Sequence, residues 1–477
     1  MKRTLVENGT VVTPGGVVQG DVFVEGRRIV EVGPGLAKRL GGLEDAEKIS
    51  AEGKIVLPGA IDAHTHMDMP FGGFFSADDF FSGTVAAALG GTTTIVDYAE
   101  SAPSGLRDGF AAWMEKAVDR AVVDYSFHMT LKECNPQILR EMSLMMKLGV
   151  TSFKVFTAYP GRMMLNDEDI LRVMKRAAEL NAVVVVHAED GLLIDDMTRR
   201  TRRAKALDPI DHALTRPSAG ECRAVCRVVK MAESTGATVV IAHISAHQAA
   251  EIVRDARRRG IRVYGETCPQ YLWLEQEKLK SPGLQGAAFI CAPPLRDVTH
   301  MNMLWKGLSE GWIDILGTDH CPFNLEGEKD LGLLSGGGFD FTRVPGGLPG
   351  VQTRLLLAYA GGVLAGRFDL VRLAEITATI PAKVFGLAPE KGGLIPGADA
   401  DIVILDPNGV TSLDADDLAS DVDYSPYEGM RVEGVIDTVM SRGECIVIEE
   451  RFVGEKGRGE FIPRRPFSQD SHNPSRT

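Results

Sequence analysis

The chain has 477 residues, 44% hydrophobic and 25% charged, the balance of a globular protein with a large core in roughly two to four domains. Its formal charge of −13, from 52 basic and 65 acidic side chains, disfavours a nucleic-acid or anionic-membrane surface. No apolar run approaches the ~20 residues that span a bilayer, and the start lacks the apolar stretch of a secretory signal.

In chain order, residues 1–57 carry short β-branched runs broken by turns, as in VVQGDVFVEGRRIVEVGPG (17–35). The same texture returns over 390–460, for example in GADADIVILDP (397–407). The two arms are expected to pair into one small β-sandwich domain, with residues 58–389 inserted between them. That middle alternates strand and helix patterns. Candidate strands are AIDAHTH (60–66), TTTIVDY (92–98), DYSFHMTL (124–131), TSFKVF (151–156), AVVVVH (182–187), TVVIAH (238–243), IRVYGET (261–267) and IDILGTD (313–319). Helical patterns such as DEDILRVMKRAAEL (167–180) lie between them, so the count predicts a (β/α)8 TIM barrel. The competing fold is a doubly wound open sheet, but no G-x-G-x-x-G follows an early strand. Seven scattered cysteines without a C-x-x-C pair argue against a disulfide framework or thiolate zinc site, and for a reduced, cytoplasmic protein. RDARRRG (254–260) reads as a solvated helix face. The tail 461–477 is polar, and its PRRPFSQDSHNPSRT (463–477) is expected to be a mobile arm.

His64 and His66, one residue apart, could share an ion on one strand face or be ordinary polar residues at a strand end. The wider pattern favours the metal. His64 and His66 end the first candidate strand, Lys154 lies in the fourth, and His187, His243 and Asp319 end the fifth, sixth and eighth. In a barrel those C-terminal strand ends meet on one face. Four imidazoles and a carboxylate exceed the three protein ligands of a mononuclear catalytic zinc, so two metals share the set more naturally. Two divalent cations need more negative charge than one aspartate supplies. Lys154, among apolar neighbours in FKVF, is either an ordinary ion pair or a chemically modified amine.

The chain resembles the hydantoinase and dihydropyrimidinase family of cyclic amidohydrolases over about residues 1 to 460. GAIDAHTHMDMPFGG, SFKVFTAYPG, HAEDG, VYGETCPQYL, CAPPLRD, GTDHCPFN and IPAKVFGL read as its motifs in its order. The resemblance implies two Zn2+ per subunit, or another divalent metal. It also implies that Lys154 is N-carboxylated by CO2 and bridges them. His64, His66 and Asp319 would hold the more buried metal, and His187 and His243 the other. It implies as well a homo-oligomer, usually a tetramer, acting on a small-molecule cyclic amide. The expected reaction opens the ring of hydantoins (5-substituted, D-type in the family's terms) or dihydropyrimidines to N-carbamoyl amino acids.

The family's oxyanion tyrosine falls at Tyr159, and Asp319 is expected to carry the proton to the departing nitrogen. Ala292 stands where the family commonly has Ser, and Gly346 where it commonly has Asn. Its members hold the ring largely through main-chain groups there, so substrate preference is more affected than chemistry. Met67, Met69, Phe71, Phe74, Phe75, Met163 and Met164 read equally as an apolar rim for a ring substituent or as lid packing and subunit contacts. Allantoinase is the alternative activity, though its pattern usually lacks the tyrosine. A dihydroorotate site would need an arginine clamp, and the sequence alone places none there. A non-catalytic relative used in assembly is disfavoured, because every ligand position is filled.

Overall fold

The run VVVVH is buried at every position, as befits a parallel strand covered on both faces. It belongs to a set of eight: β1 (Ala60–Thr65), β2 (Thr92–Glu100), β3 (Asp124–Thr130), β4 (Ser152–Phe156), β5 (Val183–His187), β6 (Thr238–Ile241), β7 (Val263–Thr267) and β8 (Ile315–Leu316). The structure, a computed structural model, describes residues 1–468 apart from positions 42, 44 and 206. The eight strands pair in parallel in sequence order. A bridge from Thr65 to His320 closes the ring, with His66 N donating to His320 O at 2.9 Å. Fully buried Arg354 stitches the same seam, donating from Nη1 to Ile61 O (2.9 Å) and Leu316 O (2.8 Å). The fold is a (β/α)8 barrel.

The helices between the strands follow their apolar periodicity. Asp167–Leu180 buries Ile170, Val173, Met174 and Ala177, is capped by Asn166, and stops at the left-handed Asn181. The eighth strand is shorter than the 313–319 read from sequence. Only Ile315 and Leu316 pair with β7. Beyond them Thr318 Oγ1 donates to Asp62 Oδ2 (2.6 Å), and Asp319 turns left-handed at φ 54°. Those contacts pull the chain off the ladder and point Asp319 inward.

Among the described residues, nine strands from the two chain ends form a second sheet. Its junction is the antiparallel pairing of Ile55–Pro58 with Ile402–Ser412. Val6 and Val22 from one arm pack with Ile402 and Met440 from the other. Lys391 ties this sheet to the barrel base. Its Nζ lies 2.6 Å from Asp124, at the start of β3, and 2.8 Å from Asp401. No helix among the described residues is long and apolar enough to cross a membrane.

The expectation of a mobile arm from 463 fails for its first part. Arg464 is 3% exposed and Phe467 6%. Backbone bonds run from Arg464 N to Gly149 O (2.9 Å) and from Phe467 N to Asn181 O (2.8 Å). A polar composition hid one apolar anchor and one arginine that finds buried acceptors. The remainder, 469–477, lies outside the described residues.

Candidate active site

The predicted ligands converge at the C-terminal mouth of the barrel, in two clusters. In the first, His64 Nε2 and His66 Nε2 each lie 3.1 Å from Asp319 Oδ1. These three residues form a group able to hold a metal ion. In the second, His187 Nδ1 faces His243 Nε2 at 3.0 Å. Two ligands bound about 2.0–2.1 Å from a tetrahedral ion stand about 3.3 Å apart, so both clusters have the spacing of a coordination edge. His243 (φ 36°), Asp319 (φ 54°) and Tyr159 (φ 66°) all adopt left-handed backbone conformations. Such conformations cost about 1–3 kcal/mol each and concentrate at functional sites.

Carboxylates behind the imidazoles fix their tautomers. His64 Nδ1 lies 2.5 Å from Glu266 Oε1 and His187 Nε2 lies 2.8 Å from Glu189 Oε2. A carboxylate only accepts, so those nitrogens carry protons, and His64 Nε2 and His187 Nδ1 present lone pairs to the site. His64 Nε2 has no well-aligned hydrogen-bond partner among the described residues. Its lone pair therefore faces a carboxylate oxygen, an arrangement that asks for a cation between them. Burial disfavours a charged His64, but Glu266 and Asp319 outweigh it and raise its pKa to about 9. Without metal that cation is a proton, and a metal ion must displace it. Burial also disfavours ionised Asp319, yet His64 and His66 hold it well below the usual range. The residues present fit a bound divalent metal. Gly317 permits the crowding, since a Cβ there would lie 3.1 Å from both His64 Cβ and Glu266 Cδ.

Lys154 on β4 is 1% exposed, and among the described residues no carboxylate lies within ion-pair distance of its Nζ. The ordinary ion pair left open by the sequence is absent there. Nζ instead lies 4.6 Å from the Tyr98 ring centroid. Burial pulls its pKa down to about 8 against the pull of Asp319 and Glu266. The shift raises the share of free amine at neutral pH, the form that attacks CO2, far above that of an ordinary lysine.

Above the clusters opens a cavity of about 520 Å³. Tyr159, Ala292, Gly346 and Phe71 line it, as do Met69 and Met163. Met67, expected there, is fully buried instead, with its N donating to Asp97 Oδ2 at 2.8 Å. The bridge from His66 to His320 turns Met67 inward against the helix at Gly83, leaving Met69 and Phe71 to face the opening. A Cβ at Gly346 would meet nothing closer than 3.9 Å, so the loop leaves open volume. Burial pushes the Tyr159 phenol up to about 12, so it stays protonated and able to donate.

The cavity wall also holds Arg162 and Arg216, which sequence reading did not place there. Arg162 lies over Phe71 at 5.5 Å. Arg216 is engaged: Nη1 donates to Glu189 Oε2 at 2.7 Å, and the guanidinium lies over Tyr159 at 5.4 Å. Against burial, Arg216 and His187 bring Glu189 down to about 2. Glu189, Glu266, Tyr98 and Arg216 are residues in contact with the clusters that the sequence reading did not name. The two glutamates sit inside HAED and GETC, one signal that could have found them.

The amidohydrolase family matches residues 55–446. A D-hydantoinase of Streptomyces coelicolor is 42% identical over 97% of this chain and 98% of its own length. A D-phenylhydantoinase of Escherichia coli is 39% identical over 98% and 99%. The crystal structure of dihydropyrimidinase from Brevibacillus agri superposes with a TM-score of 0.94 at 40% identity, covering 98% of this chain and 99% of that one. The chain belongs to the hydantoinase and dihydropyrimidinase family of amidohydrolases.

Proposed function

We propose that the protein hydrolyses the cyclic amide of 5-substituted hydantoins, and of dihydropyrimidines, to N-carbamoyl amino acids. The convergence of two ligand clusters beneath the Tyr159 cavity carries this reading. His64, His66 and Asp319 would hold one Zn2+ and His187 and His243 the other, with Lys154 carrying a CO2-derived carbamate between them. Bound metals would supply a hydroxide at neutral pH and polarise the ring carbonyl. The chain's own residues do the rest. Glu266 and Glu189 hold His64 and His187 in their ligating tautomers. Tyr159 donates its phenol proton to the developing oxyanion, and the neighbouring Arg216 holds it in place. Asp319, kept ionised, accepts the proton of the attacking water and returns it to the leaving nitrogen.

Met69, Phe71 and Met163 form an apolar rim suited to an aromatic ring substituent, a class that the name of the E. coli relative also carries. Zinc content together with rates on 5-benzylhydantoin, dihydrouracil, allantoin and dihydroorotate tests the reading. The expected order places 5-benzylhydantoin at or above dihydrouracil, with allantoin and dihydroorotate far behind. A large preference for dihydrouracil would sink the assignment of the rim, and turnover of allantoin alone would replace the activity. Removing the phenol hydroxyl, Tyr159→Phe, should lower kcat about 10²–10³-fold with little change in KM. A raised KM at unchanged kcat would mean that Tyr159 serves binding rather than the transition state. The same reading takes the enzyme as a cytoplasmic homotetramer with no membrane or nucleic-acid partner.

A further inference from the structure

Residues 459–467 cross the closed end of the barrel, opposite the active site. Gly459 N donates to Ala121 O (2.9 Å), Ile462 N to Tyr125 O (2.7 Å), Arg464 N to Gly149 O (2.9 Å) and Phe467 N to Asn181 O (2.8 Å). These acceptors lie at or before the starts of β3, β4 and β5. From this strap Arg464 reaches up into the barrel. Its Nε donates to Ser126 Oγ (2.9 Å), its Nη2 to Ser152 Oγ (2.8 Å) and to Phe127 O, and its Nη1 to Phe385 O (3.4 Å). No carboxylate lies within ion-pair distance of it among the described residues. A buried guanidinium has thus been placed where only neutral acceptors receive it.

The guanidinium dictates the direction of every hydrogen bond above it. Because it only donates, Ser152 Oγ accepts from Arg464 and turns its own proton toward His128 Nδ1, 2.5 Å away. His128 Nε2 then carries the ring proton and donates to Ala63 O at 3.0 Å. Burial and the Arg464 charge both hold this imidazole neutral. Ala63 immediately precedes His64, and Ser152 lies two residues before Lys154 on the same inward face of β4. The His128 ring also stacks on Tyr98 (4.6 Å, 26°), and Tyr98 stacks on His66 (5.0 Å, 21°). The column ends at three of the six predicted ligands.

We propose that Arg464 is a positioning residue for the metal centre, acting through Ser152 and His128 to hold the His64 strand and the Tyr98 ring. It rests on the metal reading above but needs no substrate to test. Apparent zinc affinity is measured by competition with a chromogenic chelator at fixed bicarbonate, beside the melting temperature of the metal-free protein. Ser152→Ala should weaken zinc binding about tenfold with little change in melting temperature, since Arg464 keeps its carbonyl acceptors. Arg464→Ala should weaken it at least as much, and millimolar guanidinium, but not sodium at equal ionic strength, should restore it. Unchanged zinc affinity in Ser152→Ala would overturn the proposal, as would an Arg464→Ala protein that loses only stability and ignores guanidinium. A wild type that bound zinc yet opened no cyclic amide would sink the functional reading and leave this one standing.

Discussion

Lys154→Ala is expected to lose hydantoin turnover by on the order of 10⁴-fold or more while remaining folded. The fold should survive because the substitution removes a buried amine that has no carboxylate partner among the described residues. On the proposed reading, what would disappear is the carbamate bridge between the two clusters. Zinc content should fall from two towards one or none per chain, read by elemental analysis after dialysis against buffered zinc. A short carboxylate such as acetate, small enough for the space left by the side chain, should return part of both metal and rate. A Lys154→Ala protein with two zincs and full turnover would refute the bridging role.

Asp319→Asn should lower kcat by about 10²–10⁴-fold, because an amide neither ligates as an anion nor shuttles a proton. The substitution nearly preserves shape, so the left-handed turn at φ 54° and the seam to β1 should persist. The same variant also tests the electrostatics of His64. Asp319 is one of two carboxylates that raise the His64 pKa, so its loss should lower that pKa in the metal-free protein. An NMR titration of the metal-free variant reads the shift directly. Activity within tenfold of wild type would mean that another group moves the proton.

Much of this cluster was legible in the sequence because its histidines close apolar runs, and barrel geometry brings such ends together. His187 after VVVV and His243 after TVVIA needed no contact information to be placed on one rim. Glu266 and Glu189 were not readable in the same way. Their roles depend on which imidazole nitrogen they face, and that is settled only when β7 and β1 are assembled in one barrel and the chain turns after β5. Met67 misled because it was grouped with the rim residues that follow it, whereas its amide is held by Asp97 and its side chain is buried against Gly83. The tail misled through composition, since RRPF reads as solvated until its acceptors at the barrel base are known. Apart from the shortened eighth strand, the errors fell in loops and the tail.

The junction between Pro58 and Ile402 has a consequence for how the chain is made. The first arm leaves the ribosome with one strand edge waiting for a partner about 340 residues downstream, roughly 17–70 s of synthesis at ordinary rates. During that interval Ile55–Pro58 offers an open, apolar ladder that a second nascent chain could occupy. Lys391, at the base of the barrel, is translated only shortly before the second arm arrives. The barrel and the smaller sheet are therefore sealed almost together, since Arg354 at the barrel seam and Ile402 at the junction lie within about fifty residues of each other.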